Sequence, residues 1–253
     1  MSRGPGPHAS LRLLIDAPAE AAWNMAVDEA LLHRGQGATL RLYGWSPHAV
    51  SLGYFQRISD FADLPASTPL VRRLTGGGAI YHGSEITFAL AVDAGTLPRD
   101  IGASYRLLHD AAVEALAAHG ITCERLRSGA PQHSRPQQRW CFATPGQDDL
   151  VTARGKLLGS AQRRIQQPRP RVLHHGSLVV HRADATPFTA AIADTIDLAP
   201  RQLALLQSSL ATAFAAALRR ELAPGTLTDS ERELADELRL TRYAATSAFL
   251  HDR

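Results

Sequence analysis

The stretch RRLTGGGAIYHGSEITFAL, residues 72–90, contains three consecutive glycines between two arginines and a histidine. Because glycine has no Cβ and adopts positive φ easily, a ligand can lie against the backbone N–H groups of such a loop. The spacing matches neither GxxxxGK[ST] nor GxGxxG, the two common nucleotide-binding motifs. A tight turn between two strands would also account for the glycines. The neighbours Arg72, Arg73 and His82 favour a ligand pocket.

Cys141 and Lys156 are candidates for nucleophilic chemistry. Lys156 is the only lysine in the chain, and a single lysine among many arginines suggests a position where a compact ammonium is needed. If the chain turns back at residues 153–155, Lys156 approaches Cys141, and a nearby ammonium favours the nucleophilic thiolate. The alternative for Cys141 is a small buried residue that fills a gap, and this is the interpretation that we assign to Cys123.

Two histidines and two carboxylates are weaker candidates. His174 and His175 could be part of a metal site, but no third ligand follows at a recognisable spacing. Because neighbouring residues of a strand point to opposite faces, only one of these histidines can enter a pocket. Asp28 and Glu29 lie in a predicted helix, where we expect them to be solvated or to anchor the helix.

The composition is that of an ordinary soluble protein. The chain has 253 residues, 45% apolar and 20% charged, with a formal net charge of +3, and we expect one domain. No apolar run approaches the roughly 20 residues that span a bilayer, and residues 1–20 lack a signal-peptide core, so we expect a cytoplasmic protein that does not use a membrane. The two cysteines provide neither a disulfide framework nor a zinc spacing. Without a dense basic stripe, nucleic-acid binding is not expected.

The periodicity of the chain predicts helices and strands in alternation. Helical spacing is found in residues 17–32, 101–119 and 201–222, and TDSE, residues 228–231, has the spacing of a capping box that begins a last helix. Strands are predicted in TLRLYGW, AVSLGYF, PLVRR, ITFALAVD, GITCERL and RVLHHGSLVV, with a hairpin in DLVTARGKLLGSAQRRI. Between these elements, residues 127–139 form a long polar loop. We therefore expect a disordered lead-in at residues 1–10 and one α/β (α+β) domain at residues 11–253, with a mixed β-sheet core flanked by helices.

Five segments in order resemble the family of lipoate–protein ligases, octanoyltransferases and biotin–protein ligases. NMAVDEALL is similar to the family's first helix, LRLYGWSPHAVSLGYFQ to its paired strands and RRLTGGGAIYH to its acyl-pocket loop. GKLLGSAQRR and the following HHGSLVV resemble the lysine motif and the next strand. The resemblance runs from about residue 11 to residue 253 and implies a biotin/lipoate protein ligase catalytic domain without an accessory domain.

The resemblance also implies which residues form the site. WCFATPGQDDLVTARGKLLGSAQ is similar to the Gram-positive type of octanoyltransferase, in which a cysteine precedes the lysine. Cys141 would then be the acyl-thioester nucleophile and Lys156 the residue that activates it. In the shorter and more widespread transferase type the nucleophile follows the lysine, and no cysteine follows Lys156 here. The implied acyl and substrate pocket comprises Arg72, Arg73, Thr75, Gly76, Gly77, Gly78, His82, Gly159, Ser160, Ala161, His175 and Gly176.

The implied reaction moves an octanoyl or lipoyl group from acyl carrier protein to the lysine of a lipoyl domain. The acceptor would be the glycine cleavage H protein or the E2 subunit of a 2-oxoacid dehydrogenase, and the route needs no metal or other cofactor. Gly78, where such transferases often have arginine, makes the loop more similar to that of a ligase, so a lipoate–protein ligase that uses ATP and Mg²⁺ to form lipoyl-AMP stays open. An amidotransferase that moves the acyl group between lipoyl-bearing proteins also stays open, as does a non-catalytic acyl-binding scaffold.

Overall fold

A computed structural model of the chain describes residues 9–129 and 139–244. Within these ranges eight strands form one mixed sheet in the order β11-β1-β2-β6-β10-β9-β8-β7, and three more form a small sheet in the order β4-β3-β5. The helices are α1 (Ala21–Arg34), α2 (Ile101–Ala117), α3 (Pro200–Ala217) and α4 (Asp229–Thr241). The strands are β1 (Ser10–Ile15), β2 (Ala38–Tyr43), β3 (Ala49–Leu52), β4 (Leu70–Arg72), β5 (Ile80–His82), β6 (Ser84–Asp93), β7 (Glu124–Arg125), β8 (Leu150–Thr152), β9 (Gly155–Ile165), β10 (Arg171–His181) and β11 (Glu221–Pro224). The prediction of a mixed sheet flanked by helices is confirmed.

Helices cover both faces of the large sheet, which explains why the residues of its central strands β2, β6 and β10 are mostly buried. α1 packs with α4 on one face, and α2 packs with α3 on the other. Along β6 the side chains alternate in size as well as in direction: Phe88 and Leu90 pack toward α2 and α3, whereas Ala89 and Ala91 lie under α1. The alanines let α1 approach the sheet closely, and α1 also contacts β3 and β4 of the small sheet.

Local sequence signals fix several helix ends. α2 begins after Asp100, whose carboxylate accepts a hydrogen bond from the N–H of Ala103 at 2.7 Å. The predicted capping box at the start of α4 is confirmed, because Thr228 and Glu231 each accept a hydrogen bond from the other's backbone N–H. No helix of the described ranges is both long and apolar enough to cross a bilayer.

Four predictions of local structure were wrong. Ser10 belongs to strand β1 rather than to a disordered lead-in, although residues 1–8 lie outside the described residues. β2 and β3 are not paired, because β3 belongs to the small sheet. The strand predicted in GITCERL is reduced to Glu124–Arg125. The third helix ends at Ala217, since the chain must return to the sheet, where β11 pairs with β1 in parallel. Most of the predicted polar loop, residues 130–138, lies outside the described residues.

Candidate active site

A cavity of about 1060 Å³ lies between the glycine loop and the strands β6, β9 and β10. Aromatic and aliphatic side chains form much of its wall, among them Met25, Trp45, Phe55 and Tyr105. Eleven of the predicted site residues line it: Arg73, Gly76, Gly77, Gly78, His82, Cys141, Gly159, Ser160, Ala161, His175 and Gly176. The other three, Arg72, Thr75 and Lys156, do not line the cavity and are buried behind its wall.

The two arginines beside the glycine loop hold the backbone in place. One terminal nitrogen of Arg73 donates to the carbonyl oxygens of Gly76 at 2.8 Å and Gly78 at 2.7 Å. Gly77, between them, has φ +95°, a conformation that favours glycine. Arg72 donates to the carbonyl oxygens of Gly53, Tyr54 and Gln56, so it supports the neighbouring chain segment rather than the cavity surface. The positive charge that the sequence places around the glycines therefore first serves to orient loop carbonyls.

Cys141 is held against the glycine loop by backbone hydrogen bonds. Its N–H donates to the carbonyl oxygen of Ala79 at 2.8 Å, and the N–H of Ala79 donates to the carbonyl oxygen of Arg139 at 2.8 Å. This ladder places the half-buried thiol at the cavity wall. Cys123, by contrast, packs against the main core, and burial raises the pKa of its thiol to about 11.

The single lysine lies beside this thiol. Nζ of Lys156 is 3.3 Å from Sγ of Cys141 and 2.8 Å from a carboxylate oxygen of Asp149, and both charged side chains are almost fully buried. Burial lowers the pKa of Lys156, but the charges of Asp149 and of the cysteine outweigh it and leave the pKa above its ordinary value. Lys156 is thus an ammonium at neutral pH. The ring centroid of Phe142, 5.1 Å from Nζ, provides a further favourable contact.

A shift of register in strand β9 lets the lysine reach the cysteine. Val151 pairs with Lys156 but Leu150 pairs with Leu158, which leaves one extra residue in β9. Such a bulge reverses the alternation of side chains, so Lys156 comes to lie on the same face as Gly159. A Cβ at Gly159 would lie only 2.2 Å from Cε of the lysine, so this position must be glycine to leave room for the ammonium.

Of the two neighbouring histidines, His175 faces the cavity and His174 faces α2, as the alternation of a strand predicts. Nε2 of His175 is 2.6 Å from Oγ1 of Thr75, and its Nδ1 is 3.4 Å from a carboxylate oxygen of Asp28. Thr75 therefore orients His175 from behind the wall. Asp28 also accepts hydrogen bonds from Arg41 and Tyr43.

The two carboxylates of α1 are buried, and the expectation that they might be solvated was wrong. Asp28 is part of the support of His175, whereas Glu29 accepts hydrogen bonds from Arg242 and Tyr243 near the end of α4. The anchoring interpretation is confirmed for both. Asp28, however, lies next to the cavity as well.

A second polar cluster of the cavity is formed around His82. Trp45 stacks on His82 with ring centroids 3.7 Å apart, and the histidine contacts Glu85 at 2.6 Å and Ser51 at 2.7 Å. Burial alone would raise the pKa of Glu85, but His82 and hydrogen bonds from Thr87 and Ser177 lower it, so the carboxylate is ionised. The cavity therefore joins an apolar lining to fixed polar groups, as binding sites for amphipathic ligands do.

Three functional candidates were not predicted from the sequence. Asp149 holds Lys156, Tyr105 lines the cavity, and His109 is fully buried on α2. A usable signal existed for His109, because it falls on the apolar stripe of α2 formed with Leu108 and Ala112. Within the described residues no group of three or more His, Cys, Asp or Glu side chains is arranged to hold a metal ion.

Comparisons with known proteins show which proteins the chain is similar to. The octanoyltransferase LipM of Kyrpidia tusciae is 34% identical over 267 residues, covering 92% of this chain and 96% of that protein. LipM of Moorella thermoacetica is 32% identical over 273 residues, covering 94% and 97%. Among solved structures, a bi-partite lipoate protein ligase from Thermoplasma acidophilum has a TM-score of 0.72 at 21% identity and covers 97% of both chains. A lipoate-protein ligase A bound with ATP also has a TM-score of 0.72, at 24% identity, covering 91% and 94%.

These two structures show that the fold is shared, and the two relatives above 30% identity show that the chain belongs to a common family with them. The family model of the lipoyl protein ligase A/B catalytic domain matches residues 20–221, most of the chain. The protein belongs to the family of the lipoyl protein ligase A/B catalytic domain.

Proposed function

We propose that this protein is an octanoyltransferase of protein lipoylation, which carries the acyl group on Cys141 during transfer. The observation that carries the proposal is the 3.3 Å contact between Sγ of Cys141 and the ammonium of Lys156 at the wall of a large cavity. The similarity to octanoyltransferases LipM supports the reaction class. A lipoyl domain as acceptor is supported by the bi-partite ligase, which is described together with its E2 lipoyl domain.

In the first step the thiolate of Cys141 attacks the carbonyl carbon of an octanoyl thioester on acyl carrier protein. The carrier's sulfur leaves as a thiolate, and the octanoyl group becomes a thioester of Cys141. The ammonium of Lys156 favours the thiolate before attack, and at 3.3 Å from Sγ it can donate to the oxyanion that forms on the attached carbonyl. Asp149 keeps this ammonium charged and in place.

In the second step the neutral amine of the acceptor lysine attacks the thioester carbonyl. The new C–N bond becomes an amide, Cys141 leaves as thiolate, and the proton lost by the amine balances the one taken up by the carrier's thiolate. Covalent catalysis thus divides one transfer between two large protein partners into two steps at one site. The route uses neither ATP nor a metal ion.

The charge of the chain suits such partners. With a formal net charge of +3, the protein would be attracted to acidic carriers and acidic lipoyl domains. The H protein of glycine cleavage and the E2 subunits of 2-oxoacid dehydrogenases are the acceptors that we propose. Binding that does not weaken with added salt would contradict this electrostatic contribution.

A second candidate function is an ATP- and Mg²⁺-dependent lipoate–protein ligase. Gly78 favours it, because the loop then resembles that of ligases, and the shared fold is compatible with it. In that reaction the adenylate would be the activated species, and Cys141 would not be acylated. An amidotransferase that takes the acyl group from another lipoyl-bearing protein would use the same cysteine and differ only in the donor.

Intact-protein mass spectrometry separates these functions. The protein is mixed with octanoyl acyl carrier protein without ATP, and the adduct is then treated with hydroxylamine, which cleaves thioesters. We expect a gain of one octanoyl group that hydroxylamine removes, that is absent in Cys141→Ala and that persists in Cys123→Ala, the matched control. An absent adduct, together with lipoate attachment to a lipoyl domain only when ATP is present, would establish the ligase instead.

A further inference from the structure

A chain of buried polar side chains lies between the cavity and helix α2. Oγ of Ser160, at the cavity wall, is 2.7 Å from Nε2 of His109 and 2.9 Å from Nε2 of His174. Both histidines are fully buried. Neither takes part in the acyl transfer described above, so their polar contacts need another explanation.

The contacts of His109 determine which of its nitrogens carries the proton. Its Nδ1 is 2.5 Å from the backbone carbonyl oxygen of Asp148. A carbonyl oxygen only accepts hydrogen bonds, so Nδ1 donates, and in a neutral ring Nε2 must then accept. The hydroxyl of Ser160 therefore donates its proton to His109.

The contacts of His174 fix the opposite tautomer. Arg164 donates to the side-chain oxygen of Gln162 at 3.2 Å, so the amide nitrogen of Gln162 points to Nδ1 of His174 at 2.7 Å. Nδ1 accepts this bond, which leaves the proton on Nε2, and Nε2 donates to Ser160. Every hydrogen bond in the chain thus has a direction when both histidines are neutral, in agreement with the lowering of both pKa values by burial.

This chain of hydrogen bonds ends at Asp148, which is next to the residue that pairs with Lys156. Asp148 has φ 70°, a left-handed conformation that is uncommon for residues other than glycine. Its carbonyl is fixed by His109 and its carboxylate by Arg125 at 2.8 Å. The next residue, Asp149, pairs with Lys156 at 2.8 Å.

We propose that His109 is a positioning residue for the cysteine chemistry: by fixing the backbone of Asp148, it directs the carboxylate of Asp149 to Lys156 and so holds the ammonium at Cys141. This inference rests on the proposed function for its catalytic meaning, but the arrangement itself can be tested on the thiol alone. His109 contacts neither Cys141 nor Lys156 and acts through Asp148 and Asp149.

Two isosteric substitutions separate the two hydrogen bonds of His109. His109→Asn keeps a donor near the Nδ1 position, so the bond to Asp148 persists while the acceptor for Ser160 is lost. His109→Gln keeps an acceptor near the Nε2 position, so Ser160 stays bonded while the carbonyl of Asp148 loses its donor. The pair is matched in burial and in the loss of the imidazole ring.

The first measurement is the alkylation rate of Cys141 by iodoacetamide at neutral pH, in the Cys123→Ala background. We expect His109→Gln to be alkylated about tenfold more slowly and His109→Asn within about twofold of the parent. The second is single-turnover acylation by octanoyl acyl carrier protein, where His109→Gln should lower the rate at saturating donor by a similar factor and leave the half-saturating concentration unchanged.

Equal losses in both variants, or no loss in His109→Gln, would overturn the proposal in favour of a purely structural role. If His109→Gln does not fold, Arg125→Met removes another contact of Asp148, the 2.8 Å hydrogen bond to its carboxylate, and should also slow alkylation. An unchanged rate in that variant would overturn the proposal as well. A protein that accepts no octanoyl group from the carrier but shows the alkylation pattern would refute the proposed function and leave the positioning role intact.

Discussion

Replacing Gly159 with alanine should slow acyl transfer while leaving the fold intact. A Cβ at this position would lie 2.2 Å from Cε and 2.5 Å from Nζ of Lys156, distances that real Cβ atoms do not tolerate. Gly159 lies in extended strand β9, where alanine fits the backbone, so the lysine side chain is the part that must move. Its ammonium is the group that contacts Cys141 and Asp149.

The size of the effect follows from Coulomb's law. At the observed 3.3 Å, and with an effective dielectric constant of about 20, an ammonium and a thiolate attract each other by about 5 kcal/mol. Displacing the ammonium to about 5 Å would reduce this to about 3.3 kcal/mol. The difference of about 1.7 kcal/mol is electrostatic stabilisation that the attacking sulfur loses, so we expect alkylation and acylation to be about tenfold to twentyfold slower.

The assay is again alkylation of Cys141 by iodoacetamide at neutral pH in the Cys123→Ala background, alongside single-turnover acylation. Gly95→Ala is the matched control, because a Cβ there meets nothing within 4 Å. In a Lys156→Ala background, the Gly159→Ala change should have a much smaller effect, since the two nearest atoms that it displaces are gone and the next, Oδ1 of Asp149, is 3.2 Å away. A folded Gly159→Ala protein that is alkylated and acylated at the parental rate would refute the reasoning.

Two further predictions concern stability. Burial lowers the pKa of both His109 and His174, so their stabilising contribution is present above the ordinary histidine pKa of about 6.5 and is lost as the pH falls below it. Urea unfolding should give a lower free energy at pH 5 than at pH 7.5, and the difference should shrink in His109→Asn; a pH-independent free energy would contradict the neutral pair. Thr228→Ala removes the N-cap of α4 and should lower the free energy of unfolding in urea by about 1 kcal/mol without changing the acylation rate. An unchanged free energy of unfolding would mean that the capping box of Thr228 and Glu231 does not stabilise the helix.

Much of this architecture was predictable because its signals are local. Alternating and helical periodicities place most strands and three of the helices, and the capping box at Thr228 marks the start of the last one. The predictions that were wrong concern elements whose ends or partners depend on strand pairing between distant parts of the chain. The strand β11 follows a sequence that continues the pattern of α3, and only its parallel pairing with β1 explains why the helix ends at Ala217.

The residues of the candidate site also differ in whether the sequence alone reveals them. The glycine loop, Cys141 and Lys156 can be found from residue type and spacing, and the turn between β8 and β9 brings the lysine back toward the cysteine. Asp149 cannot be recognised so directly, and for His109 the apolar stripe of α2 indicates burial but not a role, because the importance of both lies in contacts across the fold. A buried carboxylate and a buried imidazole become informative only when their partners are known.

The direction of the Lys156 side chain is the clearest example of a feature that the local sequence does not predict. Strict alternation along β9 would place its side chain on the face of Ser160 and opposite to Gly159. The extra residue in β9 reverses this, and it arises from the pairing with β8, which no residue of β9 encodes alone. The glycine at 159 is then explained by a lysine three positions earlier, a relation that neither strand nor helix periodicity contains. The contact between the thiol of Cys141 and the ammonium of Lys156 therefore depends on the bulge in β9. Gly159→Ala tests the position in which this bulge places the lysine as well as the role of the lysine in acyl transfer.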